Sequence, residues 1–157
     1  MQIVAKINDA QVKALMAKLI NNSYRTEPAM RRIEGLMLDS VEQNFESEGR
    51  PRGWKPWADA TRDARQDRGT ASGKILNEHG ASGLKGSING RHDNTSAIVG
   101  SNKIYANAHN QDGNWGGTRN LGKNNKVKIP ARPFLVFQDA DIIASRAILT
   151  RHLLQGS

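Results

Sequence analysis

Four histidines, several paired carboxylates and three tryptophans are the side chains of this 157-residue sequence that could do chemistry. His109 has Tyr105 four residues before it and Asp112 three after, the neighbours that a general base oriented by a carboxylate would use. The plainer reading is a histidine that packs or hydrogen-bonds inside a short helix, and single histidines are far more often that than catalytic. His79, His92 and His152 stand apart, with no H-x-x-x-H pair, and His79, Asn89 and His92 lack the spacing of a nuclease site. No serine sits in a G-x-S-x-G elbow, and the glycine runs at 69–73 and 113–117 lack the lysine and hydroxyl of a phosphate-binding loop. Glu46 with Glu48, and Asp59 with Asp63, read as solvated faces of helix ends. Cysteine is absent, which excludes disulfides and thiolate metal sites. The expectation is no catalysis, no metal and no cofactor.

Charge says more. The formal net charge is +8 and the pI about 10.1. Between Lys85 and Arg132 there are eight basic residues against two acidic ones, Asp93 and Asp112. Lys123, Lys126 and Lys128 near Trp115 could follow a phosphate backbone beside a stacking platform, which is how single strands are held. They could equally face solvent or the acidic rim of a protein partner. One reading is therefore a basic nucleic-acid-binding module, though no nucleic-acid fold signature accompanies the lysines.

Trp54 and Trp57 flank Pro56 in a stretch with little local core. Tryptophan is over-represented at binding hot spots, and proline limits the entropy lost when a loop is ordered. Ile129-Pro130-Ala131-Arg132-Pro133-Phe134-Leu135-Val136-Phe137 is the organising stretch. Its prolines force extended backbone and remove donors, and the dense apolar run after them must dock onto a core or a neighbouring subunit. Trp54, Pro56, Trp57, Trp115, Arg132, Pro133 and Phe134 are thus candidate contact residues, with Arg132 expected to pair a carboxylate. The alternative for the last of these is that Phe134 and Leu135 fill the domain's own core and Arg132 caps it.

The elements that must position these residues follow from periodicity. Ile3, Ala5 and Ile7 alternate as in a short strand. Val12, Leu15, Met16, Leu19 and Ile20 recur at helical spacing, and Met30, Ile33, Met37, Val41 and Phe45 form a second stripe between Thr26, a candidate N-cap, and Gly49. Residues 49–86 form a long tryptophan-bearing loop with one helical turn near 58–65, and loops of that length are usually functional or ordered on binding. Residues 87–91 and 96–100 pair as a hairpin around turn-forming Asp93 and Asn94. Residues 104–109 suit a short helix, 111–125 a second glycine-rich loop, and 127–129 a third strand. From 138 to 157 the pattern is helical, with Asp139 near the start and Arg151 and His152 near the end, as the helix dipole favours. The whole, 1–157, reads as one α+β domain in which an N-terminal helix pair and a C-terminal helix pack on a small antiparallel sheet with long loops. Composition is 37% hydrophobic and 5% aromatic, with a mean hydropathy of −0.64, so the core is thin and association is expected to add stability. No signal peptide and no run of roughly 20 apolar residues is present, so a soluble protein used without export and away from membranes is expected.

Four motifs in order give this chain a family likeness. Gly53-Trp54-Lys55-Pro56-Trp57 with Thr61, then Ile75-Leu76 with Gly83-Leu84-Lys85-Gly86-Ser87-Ile88, then Val99-Gly100-Ser101 with Tyr105-Ala106 and His109, then Ile129 to Leu135, resemble the phage virion morphogenesis (tail completion) family, to which Mu-like head–tail joining proteins belong. Trp57 stands where that family commonly has leucine, the stretch at His79 to Gly83 is extended, and Asn107 to Asp112 is more polar than usual. The resemblance implies a structural protein of a tailed phage or prophage, without enzymatic activity. It would complete the tail or join it to the head at the neck, as a ring for which six-fold symmetry is expected. Its partners would be its own copies, the tail tube and the neck or connector proteins, with non-specific contact to DNA in the lumen. Its place would be the virion, and the host cytoplasm during assembly.

Overall fold

The central helix, α2 (Glu27–Glu46), forms because its apolar positions recur every three or four residues and because Pro28, in its first turn, needs no N–H. Its cap is not the expected one. Thr26 has helical dihedrals and its hydroxyl donates to the Asn94 carbonyl, while the Asn94 side-chain oxygen accepts the Glu27 N–H at 3.0 Å. The hairpin turn therefore caps the helix, tying two distant segments together where a local cap would tie none. At the other end Gly49 adopts φ +111° and donates to the Asn44 carbonyl at 2.8 Å. A Cβ there would meet the Arg52 carbonyl oxygen at 2.7 Å and the Trp54 ring at 2.7 Å. Gly49→Ala is expected to cost about 2 kcal/mol through strain and backbone clash, read as a lowered urea midpoint.

The computed structural model describes residues 9–111, 118–121 and 125–156, of which 118–121 and 125–128 are described as backbone only. The N-terminal strand expected at 1–7 lies outside the described residues. The remaining elements are α1 (Asp9–Ser23), α3 (Asp59–Asp67), β1 (Ile88–His92), β2 (Ala97–Ser101), α4 (Ala106–Asn110), β3 (Thr118–Leu121), β4 (Asn125–Lys128) and α5 (Asp139–Gln155). β1 and β2 pair antiparallel from Ile88 opposite Ser101 to His92 opposite Ala97, and β3 pairs with β4 as a second hairpin. The stretch 111–125, expected as loop, thus contains a strand, and α3 runs for nine residues where one turn was expected. Short 3₁₀ turns at Gly80–Ser82 and Lys85–Ser87 finish the long connection.

The class is α+β, as expected, and the layers have a definite order. The β1–β2 hairpin lies on α2, α2 packs against α5, and α5 packs against α1. Of the N-terminal pair it is α2 that packs on β1 and β2. α1 is held at its end by Asn22, whose side-chain amide donates to the carbonyls of His152 and Leu153 at the end of α5. α5 begins with a capping box, in which the Gln138 N–H donates to Asp141 at 2.8 Å, and closes at Gly156 with φ +80°. Among the described residues no helix is long and apolar enough to cross a membrane.

The core is aromatic and small. Phe45 packs on Phe134 at 5.3 Å between ring centres and edge-on to Trp54 at 5.7 Å, with Val41, Ile75, Leu84 and Ala106 completing it. α1 contributes no buried residue. Its apolar stripe, read correctly as a helix, remains half in solvent.

Candidate functional site

The segment 129–137 runs past the core outside any helix or strand, and several of its backbone groups are claimed by side chains from elsewhere. Asn44, fully buried in α2, donates from one amide nitrogen to the carbonyls of Phe134 and Val136, both at 2.8 Å. Asn110, at the end of α4, accepts the N–H groups of Phe134 at 2.9 Å and Leu135 at 2.7 Å. These two asparagines do for the segment what a neighbouring strand would do, since a buried extended backbone must find partners. Asn44 is itself oriented by Arg50, whose Nε donates to its oxygen at 2.8 Å while its guanidinium also reaches the Ser40 carbonyl and hydroxyl. The Ser40 hydroxyl in turn donates to Asp141, the capping residue of α5. One polar chain therefore runs from the start of α5 through α2 to the proline segment.

Arg132 was expected to meet a carboxylate. It is buried, and its guanidinium donates to the carbonyls of Lys55 at 2.9 Å and Pro56 at 3.2 Å. Burial draws its pKa down, yet a guanidinium stays protonated at any ordinary pH, so the carbonyl dipoles carry its charge. Trp54 answers from the other direction, its indole N–H donating to the Pro133 carbonyl at 2.8 Å. The tryptophan loop and the proline segment are thereby laced to each other. Phe134 is buried in this chain's own core with half-buried Leu135 packed against it and Arg132 buried beside them, and Trp54 is buried there too; Pro133 is half-buried and Pro56 exposed.

Trp57 lies partly buried under Arg65, whose guanidinium carbon sits 4.1 Å from the ring centre. Arg65 is almost wholly buried, donates to the Thr70 carbonyl and pairs with Glu78 at 3.1 Å. The hydrogen bond from Arg68 first, then the charges of Arg65 and Arg68, hold the Glu78 carboxyl below the usual carboxylate range despite some desolvation. The long loop is thus organised by a buried arginine rather than left open. Trp115 and Lys123 lie outside the described residues, and Lys126 and Lys128 fall on β4, in register with Asn120 and Thr118.

His109 lies at the end of α4 with its ring edge-on to Tyr105 at 6.2 Å, and its Nδ1 is buried without a partner among the described residues. Its backbone carbonyl accepts the Arg132 N–H. Burial first, and the nearby Arg132 charge second, push its pKa below 6.5. The native state therefore resists protonation that the unfolded chain accepts. Stability is full above pH 6.5 and falls as pH drops from there toward the folded value. His109→Gln should flatten that acid limb in unfolding curves taken between pH 7 and 5. Beside α2 opens a cleft of about 450 Å³ floored by Leu38, Val41, Phe45 and Ile88 and rimmed by Asn77 and Lys85. Among the described residues no group of three or more potential ligands is placed to hold a metal ion.

Asn44, Ser40, Arg50, Asn110 and Arg65 escaped sequence reading. A signal existed for two of them: Ser40 and Asn44 occupy the same helical face as Met37, Val41 and Phe45, and a polar residue at a core-facing position implies a buried partner. Nothing local marks Arg50, Arg65 or Asn110.

Residues 7–154 match the phage virion morphogenesis family. The chain is 36% identical over 145 residues to the "Mu-like prophage FluMu G protein 2" of Haemophilus influenzae, covering 90% of this chain and 91% of that protein. It is 37% identical over 108 residues to the "Putative capsid assembly protein G" of Escherichia phage Mu, covering 67% of this chain and 65% of that protein. A second Haemophilus influenzae protein, "Mu-like prophage FluMu G protein 1", is 32% identical over 125 residues, with 78% and 76% covered. No solved structure matches. With the match spanning nearly the whole sequence, and the motif segments forming one laced unit at its centre, the chain belongs to the phage virion morphogenesis family.

Proposed function

We propose that this protein is a non-enzymatic structural component that completes the tail or joins it to the head at the neck, working as a ring. Membership of a virion morphogenesis family makes it a phage assembly protein, and one relative is described as a putative capsid assembly protein. The observation that carries the finer reading is the distribution of apolar side chains. Among the described residues eleven large apolar side chains are exposed, whereas eight apolar residues are buried. Exposed apolar area on that scale marks surfaces meant to be covered, and copies of the chain, the tail tube and the connector are the partners proposed.

The test is reconstitution. Phage lysates lacking this protein should accumulate separate heads and tails, and purified protein should restore infectious particles when added to them. Full heads joined to tails without it would refute the reading. The run of basic residues from Lys85 to Arg132 favours a second reading, a nucleic-acid module. Changing Lys123, Lys126 and Lys128 to Glu should leave reconstitution intact if the charge only brushes DNA in the lumen. Loss of DNA retention with normal assembly would favour the module.

A further inference from the structure

The exposed apolar side chains fall into two groups at opposite ends of the layer stack. At one end, outermost, α1 exposes Val12, Leu15, Met16, Ile20 and Tyr24, and the adjoining α5 exposes Ile142, Ile143 and Leu154. At the other end, beyond α2, the hairpin turns Ile98 outward from β2, and the connection after it carries Ile104, 98% exposed, next to Tyr105. α2 lies between the two groups, with the hairpin on one side of it and α5 on the other.

We propose that the α1–α5 face of one copy packs against the Ile98–Ile104–Tyr105 face of the next, in a head-to-tail contact. This rests on the ring reading above and names its surfaces. Side chains of this size, half exposed, present on the order of 100 Å² each, so the eight on α1 and α5 approach the roughly 800 Å² per partner of a stable interface. The hairpin face has fewer apolar side chains and meets them with a polar surround, as the rim of an interface does. A contact between two like faces suits the charges less. Opposed α1–α5 faces would set exposed Lys18, Arg146 and Arg151 against their own copies, whereas the hairpin end offers Asp93 together with Arg91 and Lys103. Faces at opposite ends of one subunit generate a heterologous contact, which closes into a ring when the rotation per copy permits. Ile104 then acts as a knob, since a side chain that exposed contributes nothing to its own fold.

The natural absence of cysteine makes cross-linking clean. Full-length Met16→Cys, Ile104→Cys and the double variant are oxidised and run on non-reducing gels, with circular dichroism to verify folding. Both sites of change are exposed, so the fold should survive. The expected result is a ladder of multimers from the double variant, and from an equal mixture of the single variants a dimer band that neither gives alone. A disulfide dimer from Met16→Cys alone would mean that like faces meet and overturn the proposal. Wild-type rings in the electron microscope with no cross-link in the double variant would overturn the surfaces while sparing the ring. Failure of the wild type to oligomerise, alone or on purified tails, would remove the ring reading itself.

Discussion

Phe134→Ala is expected to lower folding stability by about 3–5 kcal/mol, a large fraction of what holds a small domain folded. Phe134 is 0% exposed and is the ring on which the helical side of the core, through Phe45, meets the proline segment. Truncation removes its transfer energy and leaves a cavity that the prolines on either side of Arg132 hinder from collapsing, because their fixed φ limits how far the segment can move inward. Urea unfolding followed by tryptophan emission measures it well, since Trp54 touches the same cluster and reports on it. Phe134→Leu, which keeps most of the volume, should lose less than half as much. Equal losses from both variants would mean that ring stacking, rather than volume, holds the segment.

The second large effect is expected at Asn44. Asn44→Ala should cost on the order of 3 kcal/mol, because it strands the carbonyls of Phe134 and Val136 and leaves Arg50 with one partner fewer. The reason is asymmetry: a hydrogen bond made in the interior gains little over one made to water, but a buried acceptor with no partner loses everything. The loss should concentrate in the segment, so native-state hydrogen exchange at Phe134 and Leu135 should accelerate more than exchange within α5. Uniform acceleration across the chain would show that Asn44 supports the whole core and not the segment alone. Asn44→Leu, similar in size but apolar, should not restore stability.

Which features could be read from the sequence depends on how far their cause lies along the chain. α2 and α5 were legible because their stripes and terminal residues are local, and the β1–β2 hairpin because Asp93 and Asn94 sit between two strand-like runs. The cap of α2 was not, since it comes from Asn94, 68 positions away. The proline segment was recognisable as the organising stretch, but which way it faces depends on Asn44, Asn110 and Trp54, none of which it adjoins. Sequence patterning also treats an apolar stripe as a core face. For α2 that holds. For α1 the same spacing gives a face that the chain leaves open, and only the packing of α5 against one side of it distinguishes the two. The same blindness applied to the tryptophans: Trp54 and Trp57 are equivalent in composition, yet Trp54 is buried with its N–H donating to Pro133, and Trp57 lies under Arg65.

The proposal that this chain acts as a ring at the end of the tail is decided by its mass in solution and on tails. Light scattering and negative-stain imaging of the purified protein, alone and mixed with purified tails, should reveal rings or tails capped at one end. A monomer in both conditions that ignores tails, yet binds DNA with a steep salt dependence, would contradict the claim and return the protein to the nucleic-acid reading.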